Sequence, residues 1–395
     1  MEKFQLLNGE SLVLSFAHER TLLGDEYSDI TLHIAEQLPI RLQRLHTADA
    51  IDNWITKRSV PVNRHHMEAM LGALNLEKPF DIMRYSHALS LNDTFWIKEE
   101  SEDVTFAAIN LYDNKFDEAL GWIAFTGLPS NISRNLSTPE CTTQGMLPKY
   151  WQRIGIEDVI MCKGATSGYS NAGYEPYNEV VSHIIAENLG IKTIPYHLEK
   201  RGDKIVSISK LFTTKQTGLI TGNEYLDFRS NIPGYKSIAV LFRCMEEDGI
   251  DSRDFYEMCL LDYIIENFDR HLGNWGFSIN NQTQRIIGFA PIWDNGMSLD
   301  YGKPQDIRDK FDFASFNLKY DFIKDCKYTK EFRGRVNKLL VKVRSDLLGI
   351  ICDAVKDYYP SEDLVRHTID FVEQKCLEFL KPLSLAKPII KSGIK

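Results

Sequence analysis

The chain has 395 residues, 43% of them hydrophobic, 26% charged and 11% aromatic. That composition excludes a disordered, collagen-like or small disulfide-stapled protein, and the length suggests two or three units with ordinary cores, two being expected. Net charge is −9, but residues 1–135 hold 12 Lys and Arg against 20 Asp and Glu while the remainder holds 34 against 35. An acidic first third argues against nucleic acid as a direct partner, because phosphate binding needs a concentrated basic surface. Seven scattered cysteines without a CxxC pair suggest neither a bridge framework nor a zinc knuckle, and fit a reducing compartment. The opening MEKFQLLNGE lacks a basic and then apolar signal, and the longest apolar run, Ala119 to Leu128, is too short for a membrane span. A cytoplasmic location without membrane contact is expected.

Taken in chain order, residues 1–135 mix β-type runs (Ser11 to Ala17, Asp29 to Ala35) with helix-like stretches (Thr47 to Lys57, Arg64 to Leu74), an α+β pattern. On the second stretch the adjacent His65 and His66 would point different ways. Pro129 to Pro148 is rich in turn residues and lacks periodicity, so it reads as a linker or loop and places the domain boundary. Asp158 to Lys163 reads as a strand. Tyr177 to Leu189 reads as a helix with Val181, Ile184, Ile185 and Leu189 on one face, stopped by Gly190. Lys204 to Phe212 is a further strand, and Arg253 to Phe268 spaces Phe255, Cys259, Tyr263, Ile264 and Phe268 as a buried helical face. A hairpin follows (Gly276 to Asn280, Arg285 to Phe289), then two long helices (Arg335 to Tyr358, Glu362 to Leu380). The last fifteen residues carry four lysines and no acid, as a frayed or docking tail does.

The chemistry sits around the hairpin. Asp269 and Asn274 stand five residues apart in a Gly-containing loop after a helix, the D-x-x-x-x-N relation in which protein kinases orient the attacking hydroxyl and bind Mg²⁺. Asp294, in Asp-Asn-Gly beyond the hairpin, would be the second metal ligand, giving hard oxygen donors from two loops. Upstream, Lys163 at a strand end and Glu179 in the next helix fit a phosphate-holding lysine and its positioning acid. Each of these residues alone is an ordinary turn or surface feature; their joint order favours a metal and nucleotide site. A phosphate-covering loop should precede Lys163. Thr142 to Lys149 lies there, with the single glycine Gly145, and is neither a Walker A motif nor G-x-G-x-x-G. HExxH, Cys/His zinc spacing and GxSxG are absent.

The string DRHLGN, the later DNG, the strand lysine and the Asn178–Glu179 pair together resemble the HipA-like serine/threonine kinases of bacteria, whose core is similar to that of the phosphatidylinositol 3/4-kinases. The resemblance covers roughly 140–380. It implies Asp269 as catalytic base, Asn274 and Asp294 as magnesium ligands, Lys163 as the phosphate lysine and Glu179 as its partner. It also implies Gly145 and Lys149 in the loop over the nucleotide, and a hinge at Ser209, Lys210, Leu211 and Phe212 that takes adenine through backbone groups. His271 would shape its loop or touch phosphate. The cofactors implied are ATP and Mg²⁺, and the partners a protein substrate and an antitoxin-like regulator of a toxin. Where the best-known member starts this loop with Ser-Gly, its serine being a self-phosphorylation switch, Gln144 precedes Gly145 and Thr142 and Thr143 stand further back. Residues 1–135 do not resemble the family's usual N-terminal region, although Ser90 to Lys98 resembles a segment of HipA-like proteins from Gram-positive bacteria.

The expected fold is therefore α+β: a two-lobed kinase-like fold with an extra N-terminal α+β domain (1–135), a small β-rich lobe with one main helix (136–212), a mostly helical lobe (213–385) and a tail (386–395). The expected reaction is Mg-ATP-dependent phosphoryl transfer to a protein Ser or Thr. A lipid or small-molecule kinase, a kinase-fold nucleotidyl transferase and a non-catalytic binding protein remain as alternatives.

Overall fold

The computed structural model describes residues 1–61, 63–130, 138–155, 158–166, 173–229, 237–299, 316 and 321–382. The proposed tail lies outside the described residues. All seven cysteines carry free thiols. Among the described residues no helix is long and apolar enough to cross a membrane.

Strands β1 (Glu2–Asn8), β2 (Ser11–Thr21), β3 (Gly24–Leu32) and β4 (Phe95–Glu99) form an antiparallel sheet in the order β3-β2-β1-β4. Alternation turns Phe4, Leu6, Leu14 and Phe16 inward. Onto that face pack α1 (Ala48–Arg58), α2 (Met67–Leu74) and α3 (Pro79–Tyr85) through Trp54, Ile55, Met70, Phe80 and Met83. The short α4 (Phe106–Ile109) and α5 (Glu118–Thr126) complete this part of the chain. The Thr47 hydroxyl accepts from the Ala50 N–H and so caps α1 rather than joining it. The helix expected from Arg64 begins only at Met67, because His66 is left-handed (φ 62°) and Arg64 is drawn into bonds with a distant loop. Off the helix, the His65 and His66 rings lie 4.1 Å apart instead of diverging.

The second half of the expected linker is not a tether. Residues Glu140 to Thr143 are buried, a short 3₁₀ turn covers Pro139–Thr142, and Cys141 packs in the N-terminal core with Leu120 and Ile123. Directly after it comes a strand absent from the sequence reading, β5 (Lys149–Ile154), followed by β6 (Asp158–Gly164), β7 (Tyr196–Arg201) and β8 (Lys204–Lys210). These form an antiparallel sheet ordered β5-β6-β8-β7. The register pairs Lys149 with Lys163, which puts two lysines side by side on one face. Helix α6 (Glu175–Leu189) packs against this sheet and closes at Gly190 (φ 68°).

The rest of the chain contains more sheet than expected. Strands β9 (Thr217–Thr221), β10 (Gly276–Asn280) and β11 (Ile286–Phe289) form an antiparallel sheet, and the helices are α7 (Gly222–Arg229), α8 (Ile238–Glu247), α9 (Arg253–Ile265), α10 (Asp321–Lys324), α11 (Thr329–Ser345), α12 (Leu347–Val355) and α13 (Glu362–Leu380). The single helix expected over Arg335 to Tyr358 is two, because at Asp346 the backbone (φ −127°, ψ −9°) departs from helical values. One hydrophobic core joins α6 to α9, α11 and α13 through Tyr177, Ile185, Leu261, Leu339 and Val372. The helix that carries Glu179 is thus anchored on both sides of the molecule's central cleft.

Candidate active site

A cleft of about 1000 Å³ opens between the β5-β6-β8-β7 sheet, the loop Thr142 to Lys149, the segment Ser209 to Thr213, and the loops that carry Asp269, Asn274 and Asp294. Of the site residues expected from the sequence, Gly145, Lys149, Lys163, Lys210, Leu211, Phe212, Asp269, His271, Asn274 and Asp294 line it, and Glu179 is buried behind Lys163. The Lys163 ammonium donates to Glu179 Oε1 at 2.7 Å and also to Asp294 Oδ1. The second Glu179 oxygen accepts the Asn295 N–H at 2.8 Å, and the neighbouring Asn178 amide donates to the carbonyls of Gly296 (2.8 Å) and Ser298 (2.9 Å). Two consecutive residues of α6 therefore fix both the lysine and the Asp294 loop. Burial pulls the Lys163 pKa down, but the Asp294 and Glu179 carboxylates outweigh it and hold the ammonium charged. Burial likewise pushes Asp294 up, yet Lys163 and then Lys149 bring it to about 2, so it is ionised at neutral pH. Glu179 is raised, burial being the dominant cause.

Helix α9 ends where Glu266 turns left-handed (φ 51°), and the following loop is held by its own groups. Asn267 Oδ1 accepts the Asp269 N–H at 3.0 Å, and the Asp269 carbonyl accepts from the His271 N–H (2.8 Å) and the Asn274 side-chain amide (3.0 Å). His271 Nδ1 accepts the Gly273 N–H at 3.0 Å, a loop-shaping bond, and a Cβ on Gly273 would sit 2.9 Å from the His271 ring. The Asp269 side chain is exposed and opens into the cleft. Partial loss of hydration, followed by the nearby Asp294 charge, raises its pKa against the opposing pull of His271.

Arg270 organises both loops and was not singled out from the sequence. Fully buried, it donates to both oxygens of Asp262 on α9 at 3.0–3.2 Å and to the Asn274 carbonyl at 2.9 Å. It also donates to the Trp293 and Asp294 carbonyls and to Asn295 Oδ1. One guanidinium thus spans the Asn274 and Asp294 loops, and its fork suits several carbonyls at once. Asp294 itself is left-handed (φ 58°), a conformation that Asp tolerates better than most residues and that this set of bonds maintains.

At the expected hinge, the Leu211 N–H is already given to the Val159 carbonyl at 2.9 Å, and Lys210 reaches outward to Asp158 at 3.0 Å. Phe212 lies 6.0 Å from Trp293, centroid to centroid, as part of an aromatic wall. Lys149 is buried beside Lys163 and donates to the Gln144 carbonyl at 2.8 Å; burial, then the Lys163 charge, lower its pKa to about 7. Gly145 is left-handed (φ 89°), and a Cβ there would meet the Lys149 ammonium at 2.4 Å. The Thr142 and Thr143 hydroxyls are buried and donate to the Leu89 and Pro139 carbonyls, each at 2.8 Å.

No protein-family model matches the chain. The serine/threonine-protein kinase CtkA of Helicobacter pylori is 30% identical over 147 residues, 35% of this chain and 44% of that protein, so the match spans less than half of the relative's length. The solved structure of the Helicobacter pylori proinflammatory kinase CtkA covers 58% of this chain and 91% of its own, with a TM-score of 0.40 at 20% identity. A chain from the Shewanella oneidensis complex of the toxin–antitoxin system HipA, HipB and its operator DNA covers 95% of this chain and 97% of its own, with a TM-score of 0.58 at 12% identity. This is the HipA-like kinase fold.

On that HipA-like frame the metal question is one of donors. Among the described residues no group of three His, Cys, Asp or Glu side chains gathers as a self-sufficient metal site. Asn274 and Asp294 both line the cleft, and Asn274 spends its amide N–H on Asp269, which leaves Oδ1 as its ligand atom. One carboxylate, one amide oxygen and room for phosphate oxygens suit Mg²⁺, which prefers a few protein donors completed by substrate and water. Asp262 and Arg270 leave no mark in helical periodicity, which counts apolar residues. The usable signal was an acid on the buried face of the helix, eight residues before an arginine inside DRH.

Proposed function

We propose that this chain is a Mg-ATP-dependent kinase that phosphorylates serine or threonine on a protein. The carrying observation is the convergence of Lys163 with its Glu179 partner, Asp269, Asn274 and Asp294 on one cleft. Asn274 and Asp294 would hold magnesium, which when bound neutralises phosphate charge. Lys163 would hold phosphate oxygens, and Asp269, open to the cleft, would orient the acceptor hydroxyl and take its proton. With little covalent chemistry to perform, catalysis comes from alignment and charge neutralisation. Residues 1–135, 136–212 and 213–385 act on this reading as an N-terminal domain and two lobes. The fold shared with a toxin–antitoxin HipA complex motivates a neutralising protein partner, while the acidic N-terminal third disfavours direct contact with nucleic acid.

The test is incubation of the full-length wild type and Asp269→Ala with γ-labelled ATP and magnesium, with and without bacterial lysate, reading labelled proteins and nucleotide products. Label on protein Ser or Thr with ADP released, lost in the variant, supports the reading. AMP with pyrophosphate would indicate nucleotidyl transfer instead, and label that survives Asp269→Ala would remove that residue from the mechanism.

A further inference from the structure

Loops that hold phosphate need their N–H groups free and their carbonyls occupied elsewhere. The loop Thr142 to Lys149 has only one glycine to help it reach such a shape, and the rest of the answer comes from the N-terminal part of the chain. Arg64 is fully buried and forms an ion pair with Glu140 at 2.8 Å. Its guanidinium also donates to the Glu140 and Thr143 carbonyls, each at 3.3 Å, and to the Lys149 carbonyl, so it holds both ends of the loop. Around it, the Val60 N–H bonds the Cys141 carbonyl (2.8 Å) and the His65 N–H bonds the Met146 carbonyl (3.1 Å). The Gln144 side chain donates to the carbonyls of Arg58 (3.2 Å) and Ser59 (3.1 Å). The carbonyls of Glu140, Cys141, Thr143, Met146 and Lys149 are thereby drawn toward residues 60–65, while the Gln144 carbonyl accepts from the Lys149 ammonium. Among the described residues no protein acceptor takes the N–H groups of Gln144, Gly145, Met146 or Leu147, and all four residues line the cleft.

We propose that Arg64 is a positioning residue for the triphosphate: paired with Glu140, it braces the loop from the N-terminal part of the chain so that free backbone N–H groups face the cleft. The inference rests on the nucleotide reading above and assigns residues 58–65 a part in it. Because a buried charge left without its partner unfolds proteins, Arg64 and Glu140 are to be neutralised together as Arg64→Met with Glu140→Gln, which keeps an acceptor for the Trp151 N–H that Glu140 Oε1 now takes at 2.8 Å. Gln144→Ala is the milder second variant, since its side chain is attached to the brace from the exposed side.

The experiment is calorimetric titration of the full-length wild type and both variants with magnesium and the non-hydrolysable triphosphate AMP-PNP, and separately with adenosine. The double variant is expected to bind AMP-PNP about tenfold or more weakly, Gln144→Ala severalfold more weakly, and both to bind adenosine within about twofold of wild type. Equal losses for AMP-PNP and adenosine, or unchanged AMP-PNP affinity in both variants, would overturn the inference. A wild type that binds neither probe would overturn the nucleotide reading itself, which separates the two failures.

Discussion

The loop that carries Asp269 and Asn274 is held from inside its own lobe, whereas the loop over Lys163 and Lys149 is held from residues more than seventy positions earlier in the chain. In both cases a fully buried arginine does the holding through backbone carbonyls, Arg270 paired with Asp262 in the first and Arg64 paired with Glu140 in the second. The difference lies in sequence distance. Arg270 sits eight residues from its acid and inside the motif it serves; Arg64 reaches 76 residues to Glu140 and 85 to Lys149. A lobe that supplies its own brace has a self-contained site, while a loop braced from elsewhere ties its shape to the state of another part of the molecule.

The sharpest break in that comparison is in chemistry. Asp269→Ala should reduce phosphoryl transfer by about 10²–10⁴-fold, the usual contribution of a general base, with melting temperature and AMP-PNP affinity near those of wild type. Retained turnover would place the proton acceptor elsewhere. Arg270→Met comes next: it leaves the buried Asp262 charge uncompensated and should cost about 3–5 kcal/mol of stability together with activity, read by denaturant melts and by turnover at low temperature. An Arg270 variant of wild-type stability that still transfers phosphate would show that the Asn274 and Asp294 loops do not depend on this brace.

A third prediction concerns Lys149. Its folded pKa of about 7 lies below its ordinary 10.5, so between those values the unfolded chain binds more protons and this group's contribution to stability rises with pH. A triphosphate placed beside it favours the charged form, so binding should take up a proton above pH 7. AMP-PNP affinity should fall severalfold from pH 7 to pH 9, and Lys149→Met should flatten that profile. The same slope in wild type and variant would assign the titration to another group. The smallest expected effect is that of Gly145→Ala. Left-handed strain of about 1 kcal/mol, with a Cβ pressed on the Lys149 ammonium, should weaken AMP-PNP by a few fold and hardly move the melting temperature.

What could be read from the sequence follows the same division. The strand bearing Lys163, the helix with Glu179, α9, the hairpin and α13 all announce themselves by periodicity and stop signals within twenty residues, and the Asp269, Asn274 and Asp294 loops flank them at fixed spacing. β5 is not legible locally, because Lys149–Ile154 follows a proline and places charged Lys149 and Arg153 in a six-residue strand whose neighbours decide its state. The buried turn at Pro139–Thr142 reads as linker because the Ser, Thr, Asn and Pro content of the surrounding Pro129 to Pro148 mimics a loop, although Cys141 belongs to a core assembled from residues far upstream. Arg64 was invisible for the same reason. Local patterns report local partners, and a guanidinium whose acceptors are 76–85 residues away leaves no pattern.

The segment Ser90 to Lys98 has one further effect. The Leu91 carbonyl takes the Thr213 hydroxyl and the Asn92 carbonyl takes the Leu219 N–H at 2.7 Å, beyond the segment Ser209 to Phe212, while Asn8 reaches the Asn281 carbonyl at 2.7 Å. Arg58 locks this segment by two bonds to Asp93 at 2.7 and 2.8 Å. A jaw riveted across its pivot has little swing. Nucleotide should then enter and leave through a standing opening instead of a scissor motion of the lobes, and the radius of gyration from small-angle scattering should be the same with and without AMP-PNP.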